Sequence, residues 1–278
     1  MDKTIIAALL QYEIQDDWGD NIERVQGLLQ QAQKEGARLA VLPEMFNMPY
    51  DMDLVPSRAE PIPDGRTCRL LAAWSREFSL ILVGGSIAEL DEEGRFYNTA
   101  TVWGPDGRLL AKHRKVHLFD VDLPDGVSIQ ESAVFSAGDQ VTVVEVMGLK
   151  LGLAVCYDVR FPELFRLMAL AGAEVVALPG AFNHVSGPAH WEMLLRARAV
   201  ENTFYVAGVS GLAPAQASYQ SWGHSMLVDP FGQVLVNMER EEGLGLAELD
   251  PARLADVRQR LPVLSQRRTG LYRLERLS

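Results

Sequence analysis

Three residues of types that can carry out acyl transfer follow apolar runs typical of buried strands. Cys156 ends the run in LGLAVCYDVRFPE, Glu44 ends ARLAVLPE, and Lys115 lies just past RLLAK in KHRKVHLFD. In open α/β sheets the chemistry lies outside the carboxyl ends of the strands, so we expect these side chains to meet there. A carboxylate can take the proton of a thiol, and an ammonium group can stabilise a tetrahedral oxyanion. The set predicts cysteine-dependent acyl transfer without a metal or a nucleotide.

Taken singly, each of these residues also has a structural interpretation. A lone Cys at the end of a strand is commonly a small buried hydrophobe. Glu44 is compatible with a cap, and Lys115 with a solvated surface charge. The functional hypothesis therefore depends on the three residues together.

The surroundings of Cys156 predict a reactive thiol. A short apolar strand, 151–156, leads into a turn and then into a helix over 161–171. The free N–H groups at a helix N-terminus favour a thiolate. We therefore expect a lowered pKa for Cys156 and rapid reaction with iodoacetamide near neutral pH.

Strands and helices alternate in both halves of the chain, which predicts an α/β protein with one mixed sheet or two sheets covered by helices. The predicted strands are 4–11, 37–42, 80–85, 97–103, 108–112, 151–156, 174–178, 204–210, 225–229 and 233–238, and the predicted helices are 21–35, 65–78, 161–171, 190–202 and 251–260. Residues 1–278 are expected to form one domain, because no Gly/Ser-rich linker interrupts them. The similar order of elements in the two halves favours two facing sheets.

Composition excludes several classes of function. The chain has 278 residues, 48% of them hydrophobic, and a formal charge of −11, which disfavours binding to nucleic acid. The N-terminus does not resemble a signal peptide, and the most apolar later stretch is interrupted too early for a membrane span. Two cysteines fit a reducing compartment. A cytoplasmic protein without membrane or nucleic-acid partners is expected.

Histidines offer alternative sites. His113 and His117 are four residues apart and would share a helical face as metal ligands, but no Glu follows them in the metalloprotease pattern. His184, His190 and His224 are candidates for a Cys–His pair. We rank structural histidines above a metal site, and the Glu–Lys–Cys set above a Cys–His pair.

Two other kinds of protein compete with an enzyme of this type. A dinucleotide-binding fold would place a Gly-rich turn after the first strand, and residues 11–20 contain no such turn. A non-catalytic scaffold would be expected to lack one of the reactive residues, and none is missing.

The order of LPEMF, HRKVHLFD and GLAVCYDVRFPE resembles the nitrilase superfamily of carbon–nitrogen hydrolases over nearly the whole chain. Three further stretches look most like its omega-amidase branch, which removes ammonia from 2-oxoglutaramate and 2-oxosuccinamate: PGAFNHVSGPAHWEMLLRARAVEN, SWGHSMLVDPFG and RLPVLSQRRTGLY. Within the superfamily, an amidase for deaminated glutathione is the runner-up, followed by an N-carbamoyl amidohydrolase and a true nitrilase.

The resemblance implies a four-layer αββα sandwich of two mixed sheets covered by helices. It also implies a homodimer or a higher homo-oligomer, with the C-terminal helix and tail, 251–278, at the subunit interface. The implied substrates are a small amide and water, and no cofactor is expected.

By the same resemblance, Cys156 attacks the amide carbon, and Glu44 acts as general base on the thiol and later on water. Lys115 and the backbone N–H of Tyr157 hold the oxyanion. The family places a second glutamate between its Lys and Cys, and the match is Glu131 in SIQESAVF, which would orient Lys115. Charge type alone leaves Asp120, Asp122 and Asp125 open for this position.

Residues after strand ends in the matching motifs are candidates for the substrate pocket. We predict that Tyr50, Tyr157, Phe182 and Asn183 line it. Arg160 serves either the substrate or an internal ion pair, and the ion pair with Asp158 or Glu163 is favoured because these acids lie within one turn of it.

Overall fold

The computed structural model describes residues 3–122 and 128–276. Its strands are β1 (Ile5–Gln11), β2 (Ala37–Val41), β3 (Ile81–Leu90), β4 (Phe96–Trp103), β5 (Leu109–Arg114), β6 (Asp120–Asp122), β7 (Ser128–Gln130), β8 (Thr142–Val146), β9 (Leu149–Leu153), β10 (Val175–Gly180), β11 (Tyr205–Ser210), β12 (Met226–Val228), β13 (Val234–Asn237) and β14 (Gly243–Leu249). Its α-helices are α1 (Trp18–Lys34), α2 (Val55–Arg58), α3 (Arg66–Glu77), α4 (Pro162–Leu170), α5 (Gly187–Asn202) and α6 (Pro251–Arg260).

Two six-stranded sheets share one pattern. The first has the order β14-β1-β2-β3-β4-β5 and the second the order β13-β12-β11-β10-β9-β8. In each sheet three neighbouring strands run parallel, β1 to β3 in one and β9 to β11 in the other, and antiparallel strands flank them. The parallel strands place their carboxyl ends at one edge, where loops can carry reactive side chains.

The continuous apolar runs arise because the central strands are buried on both faces. In β1, Ala7 and Leu9 face the other sheet, whereas Ala8 and Leu10 lie in the layer between the first sheet and its helices. The second sheet is packed in the same way, with one core against the first sheet and one against α4 and α5. The predicted αββα sandwich is confirmed.

Helix α1 begins earlier than predicted. The Asp17 carboxylate accepts a hydrogen bond from the Asp20 N–H at 3.1 Å, which caps the helix and lets it start at Trp18. Its inner face then carries Val25 and Leu29 against the first sheet.

Two strands of the large sheets were missing from the sequence prediction, β8 and β14. Strand β14 pairs antiparallel with β1 along its whole length, from Ile5 opposite Leu249 to Gln11 opposite Gly243. Its glycines at 243 and 245 weaken any local strand signal, and its partner lies at the other end of the sequence. The C-terminal part of the chain therefore completes the N-terminal sheet.

Among the described residues, no helix is both long enough and apolar enough to cross a bilayer.

Candidate active site

Cys156 occupies a tight backbone elbow. Strand β9 ends at Leu153, and a 3₁₀ turn over Cys156–Arg160 separates the thiol from α4. The φ of Cys156 is +45°, in the left-handed region that non-glycine residues adopt only when the surroundings enforce it. Pro162 favours the start of α4, so the predicted order of strand, turn and helix is confirmed. The strand itself ends at Leu153, before the predicted end at Cys156.

Lys115 lies between two carboxylates. Its Nζ is 3.0 Å from Oε1 of Glu44 and 2.9 Å from Oε1 of Glu131, and all three side chains are fully buried. Lys115 follows β5, and its N–H donates to the Asn98 carbonyl of β4 at 2.8 Å. The Asn98 amide also donates to Oε1 of Glu44 at 2.8 Å. One carboxylate balances the positive charge of Lys115, and the second carboxylate gives the cluster a net negative charge.

Glu44 keeps one oxygen available. Its Oε2 is buried and has no nitrogen or oxygen partner among the described residues. Burial raises the pKa of Glu44, and a hydrogen bond with the Cys156 side chain partly opposes this effect. The Ala181 N–H donates a hydrogen bond to Sγ of Cys156 at 3.4 Å. This arrangement allows the thiol proton to pass to Glu44 when the sulfur attacks.

The electrostatics contradict the expectation of a lowered thiol pKa. Burial raises the pKa of Cys156 well above its usual value, Glu44 raises it further, and Lys115 only partly opposes them. Burial also raises the pKa of Glu44; Lys115 opposes this effect and Glu131 adds to it. Burial by itself would lower the pKa of Lys115, but Glu131 and Glu44 reverse the effect and raise it. The resting site therefore holds a neutral thiol beside an ammonium ion.

Of the acidic residues predicted between Lys115 and Cys156, Glu131 contacts Lys115, and it lies at the start of a short 3₁₀ turn after β7. Its Oε2 accepts a hydrogen bond from the Phe119 N–H at 2.7 Å. Asp120 instead accepts from a backbone N–H at the surface, and Asp122 is exposed. Asp125 lies outside the described residues.

Two cavities meet beside the thiol. A constricted one of about 10 Å³ is lined by Cys156, Arg160 and Phe182. A wider cleft of about 370 Å³ reaches Glu44 and opens outward. Tyr219 and Ala181 line both cavities, so they form the partition between them.

Tyr219 is a pocket residue that the sequence prediction missed. Its hydroxyl donates to the Ala181 carbonyl, and its ring centroid lies 4.6 Å from that of Tyr50. It belongs to the loop between β11 and β12, where one aromatic residue among Ser and Gln has no spacing signal. Only the fold brings this loop over Cys156.

The predicted pocket residues have different environments. The Tyr50 hydroxyl donates to Oε1 of Glu131 at 2.7 Å, and its ring borders the wide cleft. Tyr157 and Phe182 line the cavity at the thiol. Asn183 borders neither of these cavities but a third one; its Oδ1 accepts from the Ser186 N–H at 2.8 Å at the start of α5.

The predicted ion pair of Arg160 is not present. Asp158 is engaged by His113 and His117, and Glu163 is exposed to solvent. The Arg160 guanidinium lies 5.0 Å from the centroid of the Phe182 ring, and its buried Nε has no partner among the described residues. Arg160 is therefore a cation in the wall of the thiol cavity.

The histidines form neither of the alternative sites. His113 and His117 lie on β5 and in the loop after it, not on a helix, and both contact Asp158. Within 3–122 and 128–276, no group of three or more His, Cys, Asp or Glu side chains is arranged to hold a metal ion. His190 lies 3.3 Å from the Arg160 guanidinium, and His224 stacks on Trp222.

Comparison with known proteins places this site in a family. The profile of the family described as carbon–nitrogen hydrolase matches residues 6–259. The chain is 45% identical to omega-amidase NIT2 of Mus musculus over 98% of both chains, and 44% identical to that of Homo sapiens over 96% of both. The crystal structure of Saccharomyces cerevisiae Nit3, a member of branch 10 of the nitrilase superfamily, matches with a TM-score of 0.88 and 38% identity, covering 96% of this chain and 97% of that one. The chain therefore belongs to the carbon–nitrogen hydrolase family, within the nitrilase superfamily, and is a hydrolase of amide carbon–nitrogen bonds.

Proposed function

We propose that this protein is an omega-amidase, which releases ammonia from the terminal amide of small 2-oxo dicarboxylic acid monoamides such as 2-oxoglutaramate and 2-oxosuccinamate. The relatives that carry this name match over nearly the whole chain. The observation that carries the proposal is Arg160 in the wall of the Cys156 cavity, a cation that has no carboxylate partner among residues 3–122 and 128–276. An omega-amide has a carboxylate at the far end of the molecule, which a guanidinium binds through charge-assisted hydrogen bonds.

In the first stage of the proposed reaction, the Cys156 thiol gives its proton to Oε2 of Glu44 as the sulfur attacks the amide carbon. The resulting oxyanion is held by Lys115 and the Tyr157 N–H. The C–N bond then breaks, Glu44 returns the proton to the nitrogen, and ammonia leaves. A thioester remains on Cys156.

In the second stage, water attacks the thioester. Glu44 takes a proton from the water, the oxyanion forms again beside Lys115, and the C–S bond breaks. The acid leaves and the thiol regains its proton. One base serves both stages, which fits a carboxylate with one unpartnered oxygen and a raised pKa.

The neutral resting thiol fits this sequence of steps. A thiolate would add a third negative charge beside the carboxylates of Glu44 and Glu131, which burial makes unfavourable. Proton transfer at the moment of attack moves charge onto the substrate oxygen, where Lys115 can compensate it. The site therefore favours the transition state over the free thiolate.

The test is ammonia release from a panel of substrates: 2-oxoglutaramate, 2-oxosuccinamate, deaminated glutathione, an N-carbamoyl amino acid and a simple nitrile. We expect the two 2-oxo acid amides to have the highest kcat/KM. If the highest kcat/KM is found with deaminated glutathione, an N-carbamoyl amino acid or a nitrile, the proposed substrate is wrong and the protein acts like the branch of the superfamily that uses that substrate. No turnover with any of them, from folded protein, would overturn it.

We also propose that two copies of the chain pair through α4, α5 and the C-terminal tail. Leu271 and Tyr272 of the tail are 75% and 54% exposed. Further exposed apolar side chains lie on the same helices: Leu170, Met193 and Val200. Mass measurement by light scattering is expected to give a dimer, and Leu271→Glu with Tyr272→Glu should shift it toward monomer. A wild-type monomer would contradict this pairing.

A cytoplasmic location is part of the proposal as well. Cys68 and Cys156 are both free and buried, as expected of thiols kept reduced. Cell fractionation tests the location.

A further inference from the structure

A buried carboxylate joins the two segments that carry Cys156 and Lys115. Asp158 is fully buried in the turn that begins with Cys156. Its Oδ2 accepts from the Val155 N–H at 2.9 Å and lies 3.3 Å from Nε2 of His113. Its Oδ1 accepts from the His117 N–H at 2.9 Å and lies 2.8 Å from Nδ1 of His117.

The two histidines flank Lys115 along the chain. Within β5, successive side chains alternate in direction, so His113 points to the side opposite to Lys112 and Arg114. His117 lies in the bend after the strand and reaches the same carboxylate as His113. The opposite side has its own anchor, Glu89, whose carboxylate binds Lys112 at 2.7 Å and Arg114 at 2.7 Å. Glu89 thus holds the end of β5 within the first sheet, whereas Asp158 holds the segment after it against the turn of Cys156.

The surroundings of Asp158 favour its ionised form. Burial would raise its pKa, but hydrogen bonds from His113 and His117 outweigh this effect and hold the pKa well below the usual range. The ionised carboxylate can accept all four hydrogen bonds, whereas a neutral side chain of the same shape cannot. His117 also stacks on Phe161, with ring centroids 3.6 Å apart, which fixes its ring plane.

We propose that Asp158, with His113 and His117, is a positioning device that sets the place of the Lys115 ammonium relative to the Cys156 thiol. None of the three residues lines the thiol cavity or the wide cleft in the described part of the chain. They act through the elbow, where Cys156 has a φ of +45° that its neighbours must enforce. The proposal rests on the roles given above to Lys115 and Cys156.

The first test compares Asp158→Asn with the matched control Glu89→Gln. Each change removes the charge of one buried carboxylate that holds the same strand, so both are expected to lower Tm. Only Asp158→Asn should lower kcat, by about 100-fold, because Asp158 joins the Lys115 segment to the turn of Cys156 and misplacement of a reacting group by about 1 Å costs that much. The contacts of Glu89 to Thr99, Lys112 and Arg114 stay within the first sheet and do not reach the Cys156 turn. KM should stay within a few-fold in both variants, and kcat should be retained in Glu89→Gln.

The second test uses His117. An Asn side chain places its Nδ2 near the position of the histidine Nδ1 and keeps the hydrogen bond to Asp158, whereas Phe keeps the stacking on Phe161 and loses that bond. His117→Asn should therefore stay within a few-fold of wild-type kcat, and His117→Phe should lose on the order of tenfold. If Asp158→Asn does not fold, the kcat values of these two His117 variants test the positioning role.

The rate at which iodoacetamide inactivates the thiol separates this proposal from the choice of substrate. Lys115 lowers the pKa of Cys156, so a displaced Lys115 should slow alkylation in Asp158→Asn and His117→Phe even if another amide is the true substrate. Equal losses of kcat in Asp158→Asn and Glu89→Gln would overturn the proposal. Equal kcat in the two His117 variants would also overturn it. So would alkylation at the wild-type rate in both Asp158→Asn and His117→Phe.

Discussion

The two sheets have the same strand pattern but contribute different chemistry. The first sheet supplies charged groups, with Glu44 after β2 and Lys115 after β5. The second supplies the nucleophile, Cys156, after β9 and a backbone donor, Ala181, after β10. Glu131 comes from the segment that connects the two sheets.

The difference also extends to the electrostatics. Glu44 and Lys115 of the first sheet form a buried cluster with Glu131, in which two carboxylates face one ammonium group. The cavity wall on the side of the second sheet contains Arg160, which has no carboxylate partner in the part of the chain that the structure describes. The halves therefore repeat an architecture without repeating a site, and the reaction depends on how they face each other. In this scheme, changes in the charged cluster and at Cys156 affect mainly kcat, and a change at Arg160 affects mainly KM.

The largest effect is expected from the nucleophile itself. Cys156→Ala should reduce turnover by roughly 10⁶-fold, as loss of a nucleophile does elsewhere, because no thioester can form. Ammonia release under single-turnover conditions measures it. Cys68→Ala is the matched control, since Cys68 is the other buried thiol and packs in the layer of α3, away from the site. Substantial turnover by Cys156→Ala would rule out the covalent mechanism.

The next largest effect is expected from Lys115, in the buried charged cluster. Lys115→Met keeps the aliphatic stem and removes the ammonium group that holds the oxyanion, so kcat should fall about 10²–10³-fold. Lys112→Met is the control on the same strand, because Lys112 pairs with Glu89 and is 39% exposed. A loss that appears only in KM would show that Lys115 binds the substrate and does not stabilise the transition state.

A smaller effect is expected from Arg160, in the cavity wall on the side of the second sheet. Arg160→Met should raise KM for 2-oxoglutaramate about 10- to 100-fold with little change in kcat, because charge-assisted hydrogen bonds contribute about 1.5–3 kcal/mol. A simple amide without a carboxylate serves as the control substrate, and its KM should not change. If Arg160→Lys and Arg160→Met both left KM for 2-oxoglutaramate unaltered, Arg160 would have a structural role.

The last prediction concerns pH. Glu44 acts as base only when ionised, so kcat/KM should fall as pH decreases through its raised pKa. The charge of Glu131 raises that pKa, and Glu131→Gln should therefore move the acidic limb of the kcat/KM-against-pH profile to lower pH. Tyr50→Phe is the control, because it removes a hydrogen bond to Glu131 without changing the charge. A limb that moved to higher pH in Glu131→Gln would contradict the assignment.

Much of the fold was predictable from local pattern. Buried central strands produce continuous apolar runs, and amphipathic helices such as α1 and α3 show the helical period, so most elements lie near their predicted positions. Strand β14 was missed because pairing with β1 stabilises it, and that partner is more than two hundred residues away. The short strands β6 and β7, which pair with each other, were missed because they have too few residues to show a period.

The site was predictable in residue type and less so in environment. Glu44, Lys115 and Glu131 form one cluster because each follows an element that ends near the same edge. Arg160 was assigned to its sequence neighbours Asp158 and Glu163, because proximity along the chain favoured them. Asp158 instead faces His113 and His117, which no local rule connects to it.

The sequence by itself determined the elements, the order of the reactive residues and the family resemblance, because these depend on local periodicity and on residue identity. Only the tertiary structure decided the state of the groups. Whether Cys156 is ionised depends on burial and on the charges of Glu44 and Lys115, which come from distant segments of the chain, and Glu131 acts in turn on the pKa of Glu44. These effects act through space and not along the chain.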